Sequence, residues 1–80
     1  MARIRSFSPS GQRLSSHATE VDCEYAVIGE GRTRLLHLTT FGSDNRASER
    51  KSSQSIQLDE ERARELVDII IKAFPEIRRA

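Results

Sequence analysis

Tryptophan is absent from these 80 residues, and cysteine occurs once, at Cys23. A single cysteine closes no intramolecular disulfide, which excludes a disulfide-stapled secreted scaffold. Aromatics are scarce, one Tyr and three Phe, so any core rests on aliphatic side chains. No apolar run approaches the roughly 18–20 residues that span a bilayer. The start, MARIRSFSPSGQR, carries two early arginines but no apolar stretch of the signal-peptide kind, and the expected location is cytoplasmic.

What is present is a short chain with locally sorted charge. A domain of this size buries only about 60–65% of its unfolded surface, so its core stabilises it marginally and self-association is expected. The net charge of +1 conceals a basic first stretch (Arg3, Arg5, Arg13), an acidic second (Glu20, Asp22, Glu24, Glu30) and a basic third (Arg32, Arg34, Arg46, Arg50, Lys51). Electrostatic attraction for a partner must therefore come from a patch.

Residues 1–19 read as an edge strand or tail followed by a Ser/Pro/Gly loop. In residues 21–28, Val21, Cys23, Tyr25 and Val27 alternate with Asp22 and Glu24, the period of a half-buried strand. GEGR, residues 29–32, is a hairpin connection whose glycines take positive φ without steric cost. TRLLHLTTF, residues 33–41, is the return strand. The expected register sets Tyr25 opposite Leu36 and Cys23 opposite Leu38 inside, with Glu24 opposite His37 outside. QSIQL, residues 54–58, alternates again with Ile56 and Leu58 inward, leaving residues 42–53 as a loop tethered at both ends.

Asp59 then reads as a helix N-cap, with Glu60 and Glu61 in the dipole-favoured first turn and Pro75 as the stop. Ala63, Leu66, Val67, Ile70 and Phe74 form one stripe at helical spacing. Ile69, Ile70 and Ile71 widen it beyond what a three- or four-stranded sheet needs, which fits either a helix well buried in its own monomer or, the favoured reading, a surface that meets a second copy.

Enzyme chemistry is not expected. Cys23 and His37 fall on opposite faces, so they make no nucleophile pair. No Cys or His pair has metal-ligand spacing, and Gly29-Glu30-Gly31 is too short for a phosphate fingerprint, so neither metal nor cofactor is expected. The remaining signal is basic and polar. Arg46, Arg50 and Lys51 sit in the loop among Ser48, Ser52, Ser53 and Ser55, and Arg32 and Arg34 flank the hairpin turn. Such side chains supply salt-dependent attraction to phosphate and hydrogen bonds to it. His37 and Phe41, on the outward face, offer rings for stacking on unpaired bases. Asp22 and Glu24 on the same face repel phosphate, which favours a path along the loop and the second hairpin strand.

The order of these parts resembles the single-stranded-DNA-binding domain of the PC4 transcriptional coactivator family. The portion most similar is Lys51, Ile56, Leu58 and the Asp59–Glu61 helix start, with Ser52 and Ser53 where that family has a glycine. The resemblance covers roughly residues 21–74. It implies an antiparallel sheet followed by one helix, a homodimer joined through the helices, and binding of single strands with little sequence preference.

The expected architecture is one α+β domain: a small antiparallel sheet of three to four strands with one C-terminal helix packed on one face. Residues 20–74 form its core and residues 75–80 a short tail. The expected function is non-enzymatic nucleic-acid binding, single-stranded DNA first, in a transcription-related or DNA-maintenance role. Its expected contacts are Arg46, Arg50, Lys51, Arg32, Arg34 and His37. The alternative is a protein-interaction module acting as a small regulator or inhibitor.

Overall fold

The structure, a computed structural model, describes residues 1–42 and 52–78. Four strands, β1 (Ala2–Arg3), β2 (Cys23–Ile28), β3 (Leu35–Phe41) and β4 (Ser52–Leu58), form one sheet in the order β1-β4-β3-β2. One helix, α1 (Glu60–Ala73), follows β4 directly, and single 3-10 turns lie at Gly31–Thr33 and Pro75–Ile77. The class is α+β.

The sheet is mixed. β2, β3 and β4 are antiparallel neighbours, whereas β1 joins β4 in parallel, with Ala2 beside Ile56 and Arg3 beside Gln57. A hydrogen bond from the Ile4 amide to the Gln57 carbonyl, 2.9 Å, extends that pairing by one residue. Parallel neighbours need a long crossover, here the whole of β2 and β3.

The β2–β3 register differs from the sequence-based one by two residues: Tyr25 faces Leu38, Cys23 faces Thr40 and Val27 faces Leu36. The cause is the turn. It uses residues 29–34, with Gly29 (φ 83°) and Gly31 (φ 62°) in the left-handed region. The Thr33 hydroxyl donates to the Glu30 carbonyl at 3.0 Å, and Arg34 Nε donates to the Gly31 carbonyl at 2.8 Å. Two residues absorbed by the turn slide the return strand by two, and an even slip leaves every side chain on its expected face. β4 also starts earlier than the sequence indicates: Ser52 and Ser53 belong to the strand, not the loop. A register irregularity at Thr40/Phe41 places Phe41 beside Ser52 and Thr40 beside Gln54, with Ser53 as the extra residue.

At the far end of β4 the cap is as expected. The Asp59 carboxylate accepts from the Arg62 amide at 2.8 Å, satisfying one of the orphan donors of the first turn. Arg62 ties the N-terminal segment to α1: Nη1 donates to the Arg5 carbonyl at 2.8 Å, while within the helix Nη2 reaches Glu61 at 3.5 Å and Nε lies 3.2 Å from Glu65. The last approach is an ion pair by distance but lacks hydrogen-bond geometry, since Nε is buried without an acceptor.

The core is thin. Leu58, 1% exposed, is the one buried residue among those described. Leu58, Leu36, Val27 and Ala63 line a small cavity of about 180 Å³ between the hairpin and the first helical turn, which identifies the helix side of the sheet. Contrary to the half-buried strand that its alternation implies, β2 is exposed along its whole length. No residue of α1 is buried.

Candidate nucleic-acid interface

The face opposite the helix follows from strand alternation. Leu58, Leu36 and Val27 lie on the helix side, so the next cross-strand row, Arg3, Gln57, His37 and Ala26, points the other way. Adjacent strands are about 4.8 Å apart, so this row sets a cation, an amide and an imidazole side by side over three strands. Ser55 and Thr39 form the next row on the same face. Arg3, His37, Thr39, Ser52, Ser55 and Gln57 border a shallow cavity of about 340 Å³.

The ring of His37 is held in place. Gln57 Nε2 lies 3.0 Å from His37 Nδ1, and an amide nitrogen only donates, so Nδ1 accepts. The neutral ring then carries its proton on Nε2, leaving a donor for a phosphate or base oxygen. The shifted register also changes His37's neighbour on β2: it is Ala26, not Glu24, which faces Thr39. The carboxylate therefore lies one row away from the imidazole, which weakens the expected repulsion at His37. Asp22 and Glu24 both have interaction partners of their own.

The serine hydroxyls are less available than the sequence implies. Those of Ser52 and Thr39 share a hydrogen bond of 2.8 Å, and those of Ser53 and Thr40 one of 2.9 Å. Two of the serines expected to meet a ligand instead hold β3 to β4 where the ladder is irregular.

At the hairpin end of the sheet, Arg32, Arg34, Arg3 and Arg64 border a larger open cavity of about 760 Å³, together with Asp59, Glu60 and Glu61. Glu60 pairs with Arg64 at 3.3 Å, the i, i+4 spacing expected on a helix surface. Arg3 borders both cavities and so links the hairpin arginines to the His37 row. The structure thus places His37 on the outer face and Arg32 and Arg34 at the hairpin end beside the helix start, where they also line the helix-side cavity, and among the described residues only Arg3 borders both regions. Arg46, Arg50 and Lys51, the loop cations expected to contact phosphate, lie outside the described residues.

Arg3 is the residue that sequence reasoning missed. Its place depends on a parallel pairing between segments more than fifty residues apart, and no local pattern reports that. Among the described residues, no group of His, Cys, Asp or Glu is placed to hold a metal ion, and no helix is long and apolar enough to cross a membrane.

Fold and site together define a class: a small sheet-and-helix α+β domain whose outer face carries arginine, imidazole, amide and hydroxyl groups. Within that class no particular relative is singled out, because no family model, curated protein or solved structure matches the chain.

Proposed function

We propose that this protein is a non-enzymatic nucleic-acid-binding domain that takes single-stranded DNA on its outer sheet face, with little sequence preference. The observation that carries the reading is the Arg3–Gln57–His37 row, extended at the hairpin end by Arg32 and Arg34. Arginines attract phosphate through counterion release, and the oriented Nε2–H of His37 and the Gln57 amide donate to oxygens that the strand presents. Base edges are not read by an array of fixed pairs, so the contacts favour shape and charge over sequence. Arg46, Arg50 and Lys51 extend the cationic path in this reading. The PC4 resemblance points the same way, toward a homodimer joined through its C-terminal helix and a role in transcription or DNA maintenance, and the expected location stays cytoplasmic.

A fluorescence titration with a labelled single-stranded oligonucleotide at two salt concentrations tests it. The expected result is micromolar or tighter binding with a steep salt dependence, about 0.7 log units per log unit of salt for each phosphate contacted. Arg3→Ala is expected to flatten that slope by roughly one contact, and Arg46→Ala/Arg50→Ala/Lys51→Ala by more. Absence of binding at low salt rejects the reading and leaves the protein-interaction module, which the acidic pair Asp22 and Glu24 favours.

A further inference from the structure

Arg62 stands where the helix itself has least use for a cation. It is the third residue of α1, after the Asp59 cap and the two acids of the first turn. The partial positive charge of a helix N-terminus disfavours a cation there, and a capping box gives this position to Glu or Gln. The Arg62 side chain is nevertheless only 23% exposed, and its direction is fixed. Nε faces Glu65 and Nη2 faces Glu61, which leaves Nη1 for the Arg5 carbonyl at 2.8 Å.

The segment that Arg62 grips is weakly held otherwise. β1 is two exposed residues long, too short to stand as a strand by itself. Beyond its ladder with β4 it has the Ile4 amide on the Gln57 carbonyl, and Arg62 is the one described side chain that hydrogen-bonds to residues 1–5. Past Arg5, the next backbone hydrogen bond to the sheet among the described residues is at Asp22, whose carbonyl accepts from the Phe41 amide at 3.1 Å. Short terminal strands of this kind open at little cost, so a single anchor decides how often they are docked.

We propose that Arg62 is the positioning residue for Arg3: it pins the Arg5 carbonyl, keeps β1 on β4 and so delivers the Arg3 guanidinium to the outer-face row, whose occupant in turn holds β1 down. The proposal rests on the binding reading above and adds to it a residue outside the row. Arg62 lines neither of the cavities that Arg3 borders. Gln57 joins the two ends of the connection, since its carbonyl accepts from Ile4 and its side-chain amide donates to His37. Docking of β1 and occupation of the row are therefore linked, and whatever Arg62 adds to the docked population it adds to the affinity.

Amide exchange followed by NMR, without nucleic acid, tests the anchor. In Arg62→Ala the Ile4 amide is expected to exchange about tenfold faster, while the Leu36 and Leu38 amides of the central strand keep their wild-type rates. Unchanged Ile4 exchange overturns the proposal. Equal acceleration in all three also overturns it, because Arg62 is then a general stabiliser. Arg62→Lys keeps a cation between Glu61 and Glu65 but lacks the fork that also spans the Arg5 carbonyl, and it makes the same measurement where Arg62→Ala fails to fold. Titrations with the single-stranded oligonucleotide test the coupling. Arg62→Ala is expected to weaken binding severalfold, by no more than Arg3→Ala does, and to weaken it no further in an Arg3→Ala chain. Additive losses mark a direct phosphate contact by Arg62 and overturn the positioning role. A disulfide between Ala2→Cys and Ile56→Cys, neighbours in the β1–β4 ladder, is expected to restore binding to an Arg62→Ala/Cys23→Ser chain until it is reduced. Failure to restore it counts against the proposal. A wild-type chain that binds no oligonucleotide rejects the binding reading, and the Ile4 rates still judge the anchor. Binding by wild type that Arg62→Ala leaves intact rejects this proposal alone.

Discussion

β2 and β4 flank the same central strand, and their fates are opposite to their compositions. β2, CEYAVI, is the more apolar, yet every residue in it is exposed. β4, SSQSIQL, is mostly Ser and Gln, yet it holds the one buried side chain among the described residues, Leu58. Both pair with β3 in antiparallel fashion, with the β4 ladder irregular only at Thr40/Phe41. What separates them is cover: β4 runs into α1 through Asp59, so the first helical turn folds back over Leu58, whereas Val27 only borders the cavity beside that turn and, like Tyr25, stays mostly exposed. Apolar alternation marks which side of a strand is meant to be covered. It does not say what covers it.

The largest expected effect breaks the contrast at its packed end. Leu58→Ala removes a fully buried side chain from the junction of sheet and helix, and such truncations cost about 2–5 kcal/mol. In a domain with so thin a core that is enough to abolish cooperative unfolding in a urea titration. Val27→Ala, its cross-strand counterpart two strands away, is expected to cost under about 1 kcal/mol where the chains are dilute, because Val27 is largely in water already. A cost for Val27→Ala equal to that for Leu58→Ala in dilute solution would contradict the exposure of β2.

Two intermediate effects concern the joints that set the contrast up. Asp59→Ala removes the acceptor for the Arg62 amide and is expected to cost about 1 kcal/mol, read as a lower urea midpoint with unchanged slope. Asp59→Asn, which keeps an acceptor, should recover most of it. Gly31→Ala places a Cβ where φ is 62°. No atom lies within 4 Å of the added carbon, so the cost is conformational strain alone, about 1 kcal/mol. A neutral Gly31→Ala would mean that the turn adopts another form, and the two-residue register shift would then need another cause.

Much of the fold was legible because its determinants are local. The Asp59 cap with its two following acids, the Pro75 stop and the alternation around Ile56 and Leu58 each need fewer than six residues of context. Face assignment survived a wrong register, since the turn took up two residues and an even slip conserves sidedness. Three things were not legible. The parallel docking of Ala2 and Arg3 on β4 joins distant segments without a sequence signal. The hydroxyl–hydroxyl hydrogen bonds between Ser52 and Thr39 and between Ser53 and Thr40 depend on an irregular ladder position that no residue type announces. The exposure of β2 depends on where the helix lies, which its own apolar stripe does not state. For the candidate site, Arg32 and Arg34 were readable as exposed and His37 as polar and outward-facing, but the place of Arg3 between them was not.

The smallest expected effect tests whether the arginines at the hairpin end serve the fold or a ligand. Arg64 pairs with Glu60 at 3.3 Å, but both side chains are mostly exposed, at 71% and 63%. Exposed i, i+4 pairs contribute about 0.3–0.5 kcal/mol and are screened by salt, so Arg64→Ala should barely move the urea midpoint, and not at all in about 1 M salt. Arg64 nevertheless borders the same cavity as Arg3, Arg32 and Arg34. If that end of the sheet meets phosphate, Arg64→Ala weakens oligonucleotide binding severalfold at low salt while stability stays put. If stability falls by more than about 1 kcal/mol instead, the pair does more than an exposed pair can. In that case the cluster holds the start of the helix against the hairpin and the packed half of the molecule extends further than Leu58.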